Sequence, residues 1–388
     1  MAGVGALLAG CSQQLSGGLG PGTGTSGAVL DPNLPPPTGN TIGTGSVRVA
    51  LLVPQSATGA ASTIATALRN SAAMALQDFA GADVTILVKD SAGTAEGAAA
   101  ATQAALSEGA QLIIGPFFAA EVRGAAPVAK GAQVPVIAFS SDPGVAEPGV
   151  YIMGFLIGDE MQQMVAKSAA LGRNSVAAMI SNSAAGNLAE ASLRSHATRY
   201  GISIVAVERF EPNAGDISAK AASLAGNKAR IQSIFLPDGG QLAIQAAGAL
   251  TSVGLSPSEV TYLGSGQWND AAVFGSTALA GGLFPAPEID RFNAFAARYR
   301  TSFGVEPYPK ATLAYDAVLL ACGLVKQVPG PRRFDPGILA NRQGFISSVN
   351  GLFRFNTNGT NDRALAIYQV TGGAPQLVDA AARSFAGS

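Results

Sequence analysis

The sequence predicts a two-lobed α/β fold, in which each lobe is a doubly wound, mainly parallel sheet flanked by helices. From residue 46 onward, short runs rich in Val, Ile and Leu alternate with Ala-rich stretches whose apolar residues recur at helical spacing. The runs are apolar on both faces, which is typical of parallel strands covered by helices on both sides. Two such series of similar size follow one another, and segments rich in Gly or Pro at 149–158 and 281–285 separate them.

The elements follow in chain order. The first series begins with a strand over 47–53 and a helix in which Ile64, Leu68, Ala72 and Leu76 fall near helical spacing. It continues with strand 83–89, helix 94–108, strand 111–114, helix 119–131 and strand 134–139. The second series consists of helix 158–171, strand 175–180, helix 186–200, strand 202–208, helix 216–226, strand 231–236, helix 240–253 and strand 259–263. Helices 288–303 and 308–326 come next, and strands 351–355 and 364–370 complete the pattern.

The N-terminus predicts a lipoprotein. Leu8-Ala9-Gly10-Cys11 closes a short apolar run with two small residues before a cysteine, which suits signal-peptidase cleavage and acylation of the new N-terminal thiol. We therefore expect residues 1–11 to be a signal peptide and lipobox, whose true start lies upstream because no Lys or Arg precedes the run. Residues 12–45, rich in Gly, Pro, Ser and Thr, are expected to be a flexible tether. A buried first helix is disfavoured, since the run is too short and Gly-rich to pack or to span a bilayer.

These features predict the location of the protein. We expect it at the periplasmic face of the outer membrane of a Gram-negative bacterium, held by lipid on Cys11 alone. Ser12 after the cysteine fits outer-membrane sorting by analogy with other lipoproteins.

Composition and residue types argue against several function classes. The formal net charge is −1, from 24 Lys+Arg and 25 Asp+Glu, and no basic run supports nucleic-acid binding. The only histidine, His196, lies within a predicted helix, where a catalytic triad cannot readily use it. We find no metal cluster, phosphate-binding loop or nucleophile elbow, and so predict a protein that is not an enzyme and needs no cofactor or metal. Cys322 lies in an apolar helix and is expected to be a buried, inert thiol.

Three stretches resemble a known family. Gln111-Leu112-Ile113-Ile114-Gly115-Pro116 leads to Val134-Pro135-Val136-Ile137-Ala138; Phe303-Gly304-Val305-Glu306-Pro307 precedes Ala314-Tyr315-Asp316-Ala317-Val318; and Asn350-Gly351-Leu352-Phe353-Arg354-Phe355-Asn356 lies near the end. Together they resemble type I periplasmic binding proteins of the branched-chain amino-acid-binding group, over nearly all of 46–388. The resemblance implies that three hinge strands join two lobes, which close on a ligand. We expect lobe 1 to comprise 46–155 and 283–342, and lobe 2 to comprise 156–282 and 343–388.

A shorter resemblance within this group suggests a function. Gly115-Pro116-Phe117-Phe118, Val136-Ile137-Ala138-Phe139-Ser140 and the ending from Gly351 to Gly373 resemble the lipoprotein activators of penicillin-binding proteins. This likeness implies a non-catalytic regulator of peptidoglycan synthesis, whose partner is a penicillin-binding protein. The alternative is the solute-binding component of an ABC amino-acid transporter, whose partners are a permease and a small solute.

Candidate ligand-binding residues follow the predicted strands, because ligands of open α/β sheets bind outside the carboxyl ends of the strands. Trp268 could line the cleft or form a partner surface, and Phe117 and Phe118 could be lobe core or a ligand platform. Ser140 and Ser141 could be turn or cap hydroxyls, and Asp238 is expected to cap the helix that follows it. The full set of cleft-lining candidates is Gln55, Ser56, Phe117, Phe118, Ser140, Ser141, Asp142, Asn182, Asp238, Gln267, Trp268 and Asn269.

The candidate cleft departs from that of amino-acid binders in the family. Our alignment places Ala119 and Asp142 where those relatives carry hydroxyls for the ligand carboxylate. Gly266 aligns with the glutamate that holds the ammonium, and Ala185 aligns with the aromatic residue that caps the ligand. Each lost charge-assisted hydrogen bond costs about 1.5–3 kcal/mol. We therefore expect the purified protein not to bind leucine, isoleucine or valine tightly.

Overall fold

The computed structural model describes residues 34–385, which form two compact units. Unit 1 comprises the described residues up to Gly154, then Ile289–Ala364 and the residues from Arg383. Unit 2 comprises Phe155–Glu288 and Leu365–Ala382. Residues 1–33, including Cys11 and the predicted lipobox, lie outside the described residues. Within 34–385, no helix is long and apolar enough to cross a membrane.

The chain begins in unit 1 and passes through unit 2 before it returns. Unit 1 opens with β1 (Thr41–Ile42), β2 (Val47–Val53), α1 (Ala60–Asp78), β3 (Val84–Asp90), α2 (Ala95–Ser107), β4 (Ile113–Ile114), α3 (Ala119–Gly131), β5 (Val136–Ala138) and β6 (Val150–Ile152). Unit 2 follows with α4 (Ile157–Ala170), β7 (Ser175–Ser181), α5 (Ala184–Arg199), β8 (Ser203–Phe210), α6 (Ala214–Ala225), β9 (Ser233–Leu236), α7 (Gly240–Ser252), β10 (Thr261–Gly264), α8 (Ala271–Phe274) and β11 (Leu283–Ala286). Unit 1 then adds α9 (Ile289–Phe303), α10 (Thr312–Gln327), α11 (Pro336–Leu339), β12 (Phe345–Ser347), β13 (Gly351–Phe355) and β14 (Asn361–Arg363), and β15 (Ala366–Gln369) and β16 (Gln376–Asp379) complete unit 2.

The sheet of unit 1 has the strand order β1-β3-β2-β4-β5-β6. All its pairs are parallel except β1, which lies antiparallel to β3. Every residue of β2 is buried, which is why this strand is apolar on both faces. The parallel arrangement confirms the predicted fold class. The sequence did not predict β6, because it lies in the segment that we interpreted as a lobe boundary.

The sheet of unit 2 has the order β16-β15-β11-β10-β9-β7-β8, with β7 to β11 parallel and β15 and β16 antiparallel. We interpreted the Gly- and Pro-rich segment near Pro285 as a boundary, which was wrong. It contains β11, whose four residues are buried and pair with both β10 and β15. The two glycines and the proline of this segment led us to interpret a buried strand as a boundary.

The expected boundary at residue 342 is also wrong, since β12, β13 and β14 belong to unit 1. Long-range contacts hold this small sheet there. The Asn361 side-chain amide donates to the carbonyls of Ile152 (2.7 Å) and Gly154 (2.9 Å). Asp316, within α10, accepts hydrogen bonds from the backbone (3.0 Å) and side-chain (2.7 Å) nitrogens of Asn350. The chain crosses into unit 2 only after Ala364.

The expected flexible tether is wrong from residue 34 onward. Thr38 donates its backbone N–H to Glu108 (3.1 Å), and the Lys89 ammonium donates to the Thr38 carbonyl (2.8 Å). Lys89 and Glu108 themselves form a buried ion pair at 2.7 Å. The Arg48 guanidinium donates to the Pro35 carbonyl (2.8 Å), and β1 pairs with β3. These polar partners lie inside predicted strands and helices, so composition alone did not show that the segment docks.

Candidate ligand site at the strand ends

A pocket of about 170 Å³ lies at the carboxyl ends of β4 and β5 in unit 1. It brings together five of the predicted residues from two strand-end loops. Three further residues complete it, one of them from the segment that precedes α10. The lining consists of Phe117, Phe118, Ala119, Phe139, Ser140, Ser141, Asp142 and Lys310.

Two phenylalanines form the apolar wall of this pocket. The rings of Phe117 and Phe118 meet edge to face at 5.2 Å between centroids, and Phe117 also contacts Tyr308 at 6.0 Å. Both phenylalanines are only half-buried, so they form a wall open to solvent rather than lobe core. Aromatic rings in such arrangements offer large, rigid apolar surfaces.

A buried carboxyl group holds this wall in place. Glu121, in the first turn of α3, accepts hydrogen bonds from the Phe118 backbone N–H (2.8 Å) and the Ser91 hydroxyl (2.5 Å). Burial raises the pKa of Glu121 above its ordinary value, although these two hydrogen bonds act in the opposite direction. The backbone that carries the phenylalanines is therefore fixed by the helix that follows it.

Asp142 is already engaged within unit 1. One carboxylate oxygen accepts from the Arg123 guanidinium at 2.9 Å, and the other accepts from the Gly144 N–H at 2.8 Å. The Asp142 N–H donates to the Ser140 hydroxyl at 3.1 Å, so Ser140 serves the turn, whereas Ser141 is exposed. The Arg123 guanidinium therefore offsets the negative charge that Asp142 would present to a ligand carboxylate.

Lys310 is the charged residue of the pocket that sequence reasoning missed. Its side chain is exposed, and its ammonium has no ion-pair or hydrogen-bond partner within residues 34–385. Lys310 lies in a short 3₁₀ turn between Tyr308 and the start of α10 at Thr312. The sequence signal was a Tyr-Pro-Lys turn just before a long apolar helix, a segment that we had assigned to the helix itself.

Gln55 and Ser56, which follow β2, do not join this pocket. Gln55 lines a separate pocket of about 310 Å³ with Asn40, Ala65, Thr66 and Arg69. The Ser56 backbone N–H donates to Asp90 at 3.2 Å. Burial raises the pKa of Asp90, but hydrogen bonds from Ser56, Ala92 and Gln55 outweigh it and hold the pKa below its ordinary value.

In unit 2, Asp238 and Trp268 have structural roles. Asp238 does not cap α7, whose N-cap is Gly239; its carboxylate instead accepts the N–H (2.9 Å) and hydroxyl (2.5 Å) of Ser181. Trp268 is completely buried, and its indole N–H donates to the Asp238 carbonyl at 2.9 Å. A Cβ on Gly282 would lie 2.7 Å from the indole ring. Trp268 is therefore packed inside unit 2 in this structure.

The remaining candidates of unit 2 also contact their own neighbours. The Gln267 side-chain amide donates to the Pro237 carbonyl at 3.1 Å. Asn182 donates to Glu211 at 2.7 Å and accepts from Arg209 at 3.2 Å. Asn269 is exposed, and its backbone N–H donates to the Gly266 carbonyl at 3.1 Å. The loops that follow β7, β9 and β10 thus form hydrogen bonds with one another or with adjacent strands.

A buried carboxylate lies beside Gly266, where the sequence alignment indicated none. Glu160 from α4 is 6% exposed, and its Oε2 accepts the Gly266 N–H at 2.9 Å. A Cβ on Gly266 would lie 2.5 Å from Glu160 Oε1. The available signal was an acidic residue on the buried face of α4, at the spacing of Met164 and Ser168.

His196 and Cys322 lie within helices α5 and α10. His196 is half-buried in α5, and burial together with nearby Arg199 lowers its pKa. Within residues 34–385, no group of three or more His, Cys, Asp or Glu could hold a metal ion. Cys322 is free and buried, and burial raises the pKa of its thiol to about 12. The expectation of an unreactive thiol at Cys322 agrees with this environment.

The chain belongs to the periplasmic binding protein family, because the model of that family matches residues 46–374. This match, together with the two-lobed fold, confirms the broader resemblance to type I periplasmic binding proteins. A sequence comparison with curated proteins finds no match.

Several solved structures have a similar fold. A branched-chain amino acid ABC transporter protein from Rhodospirillum rubrum has a TM-score of 0.75 at 19% identity, covering 86% of this chain and 99% of its own. A leucine-binding protein from Thermotoga maritima has a TM-score of 0.60 at 19% identity, with coverages of 86% and 98%. A solute-binding protein of an ABC transporter from Rhodopseudomonas palustris, in complex with 3,4-dihydroxybenzoic acid, has a TM-score of 0.61 at 20% identity, with coverages of 87% and 97%. The closer likeness to activators of penicillin-binding proteins stays a prediction.

Proposed function

We propose that this protein is the non-catalytic solute-binding component of an ABC transporter. The family match over residues 46–374 carries this proposal. The pocket in unit 1 adds support, since it lies at the strand ends where open α/β sheets bind their ligands. The protein would deliver a small molecule to a membrane permease, and it would need no cofactor.

The chemistry of the relatives' ligands supports a small solute. One similar structure is named for leucine and another holds 3,4-dihydroxybenzoic acid, and both compounds carry a carboxylate. Our alignment places Ala119 where amino-acid binders carry the first hydroxyl, and an unpaired lysine ammonium lies in the same pocket. The altered lining favours a carboxylate solute other than a branched-chain amino acid.

We further propose an exported location with a lipid anchor on Cys11 at the periplasmic face of the outer membrane. The small residues before Cys11 support the anchor, and the family supports export. Two acyl chains would hold the protein stably, whereas one would not. Incorporation of labelled palmitate tests this, with Cys11→Ala as the control; equal label in the variant would show that Cys11 is not the acceptor.

Activation of a penicillin-binding protein is the second candidate. The observation that favours it is the resemblance of Gly115-Pro116-Phe117-Phe118 and the chain ending to such activators. In that case the protein would bind a peptidoglycan synthase, and its pocket would not need to hold a transported solute.

Affinity capture from detergent-solubilised membranes tests the two candidates directly. The full-length, anchored protein is the bait, and its Cys11→Ala variant controls for capture through lipid. Recovery of an ABC permease is the expected result. Recovery of a penicillin-binding protein without any permease would reverse the ranking.

A further inference from the structure

We propose that the pocket of unit 1 recognises a small monocarboxylic acid with a flat apolar group, and that the Lys310 ammonium is the ionic partner of its carboxylate. This inference rests on the proposed solute-binding function and names the chemical class of solute for the same pocket. It uses three properties of the lining: its charge, its aromatic wall and its hydrogen-bond acceptors.

The pocket carries an uncompensated positive charge. Its two charged side chains are Lys310 and Asp142. Both Asp142 oxygens accept hydrogen bonds, from Arg123 at 2.9 Å and from the Gly144 N–H at 2.8 Å. The Lys310 ammonium has no partner in the described part of the chain. A carboxylate can therefore form a charge-assisted hydrogen bond with Lys310 without displacing an existing contact.

The other side of the pocket suits a flat apolar group. Phe117 and Phe118 are half-buried at 85° to one another, and Phe139 is buried with 1% of its surface exposed. Aromatic edges and faces pack well against planar groups. The volume of about 170 Å³ is below the roughly 300–1,000 Å³ of pockets for drug-sized ligands. The pocket therefore fits a small acid, or the carboxylate end of a larger one.

An α-amino acid is a poorer match for the same lining. Asp142, the one carboxylate of the lining, already pairs with the Arg123 guanidinium at 2.9 Å, which weakens its attraction for the ammonium of an amino acid. That ammonium would also approach the like charge of Lys310. The exposed Ser141 hydroxyl can donate a second hydrogen bond to the carboxylate of either class of solute.

Titration calorimetry on the full chain tests this inference with benzoate, benzamide and leucine. Benzamide has the shape of benzoate without its charge, and leucine adds an ammonium. We expect benzoate to bind at least 10-fold more tightly than either of the others. Lys310→Met should weaken benzoate binding by about 10- to 100-fold, as expected when one charge-assisted hydrogen bond is lost.

Two variants serve as controls. Lys310→Arg keeps the charge and should retain most of the affinity. Lys130→Met removes an equivalent charge at the far end of α3, where Lys130 pairs with Glu147 on the surface, and should leave benzoate binding unchanged. Because Lys310 is exposed, unchanged thermal unfolding of Lys310→Met would show that the variant folds.

The outcomes separate this inference from the proposed function. Equal benzoate affinity in the wild type and Lys310→Met would overturn the role of Lys310. Binding of leucine or a neutral solute in preference to benzoate would overturn the solute class and leave solute binding intact. A chain that binds none of a wide solute panel, but captures a penicillin-binding protein, would overturn both.

Discussion

The strand ends of the two units use their polar residues in different ways. In unit 1, the loops after β4 and β5 and the turn before α10 leave a lysine ammonium and two half-buried aromatic rings around an open pocket. In unit 2, the side chains at the corresponding strand ends bind one another: Asp238 holds Ser181, and Trp268 is buried against the Asp238 carbonyl. The same position in a fold can thus stay open to solvent or form part of the scaffold. The difference is that Lys310 in unit 1 has no partner in the described part of the chain, whereas Asp238 and Trp268 in unit 2 do.

The largest expected effect on the free energy of unfolding is in unit 2. Trp268→Ala would remove a fully buried indole and leave a cavity, which should cost about 3–5 kcal/mol of unfolding free energy. Urea unfolding followed by far-ultraviolet circular dichroism measures this. The matched variant is Phe117→Ala in unit 1, where only half of the ring is buried and the expected cost is about 1 kcal/mol. Similar costs for the two variants would mean that Phe117 is also a scaffold residue.

The second prediction contrasts two aspartates that follow strands. Asp238→Asn weakens the acceptor for two donors of Ser181, and we expect a loss of about 1–2 kcal/mol, reduced from the buried value because Asp238 is partly exposed. Asp142→Asn breaks an exposed ion pair with Arg123 and should cost less than about 1 kcal/mol. Chemical denaturation of both variants measures the difference. A larger loss for Asp142→Asn would show that Asp142 contributes more to the stability of the fold than Asp238 does.

A third, smaller effect concerns the carboxyl group beneath the aromatic wall. Burial raises the pKa of Glu121 in the folded protein, against the lowering effect of its hydrogen bonds from Ser91 and Phe118. Because the folded state holds this proton more tightly than the unfolded chain, Glu121 stabilises the fold at low pH. That contribution falls as the pH rises from the ordinary carboxyl pKa through the raised folded value.

Glu121→Gln removes this titration. The melting temperature of the wild type should therefore fall relative to that of Glu121→Gln as the pH rises across that window. Melting temperatures between about pH 4 and pH 7 measure it. A difference that is constant over this range would show that Glu121 has an ordinary pKa in the folded protein.

The sequence predicted the fold well because its main signals are local. Runs such as 47–53 and the helical spacing within 119–131 correspond to β2 and α3 with the same bounds. Among the strands that it missed, β6 and β11 are short and contain or adjoin Gly or Pro, so their pairing partners rather than their composition define them. The docked segment around Thr38 was missed for the same reason, since Glu108 lies 70 residues away.

The candidate site was only partly predictable. Strand-end positions follow from periodicity, and five of the predicted residues do meet in one pocket. Periodicity does not predict whether a polar side chain remains free to bind a ligand, because that depends on partners that are distant in sequence. Ser181 and Asp238 are 57 residues apart, and Glu160 and Gly266 are 106 apart. Lys310 was missed because a turn residue before a helix carries no periodic signal.

Hydrogen–deuterium exchange of the full chain with and without benzoate tests most directly whether ligand recognition lies on the strand ends of unit 1. We predict slower exchange in peptides covering 117–119, 140–142 and 308–312, and loss of this protection in Lys310→Met. Protection confined to 181–183, 237–240 and 265–270 in unit 2 would contradict the account.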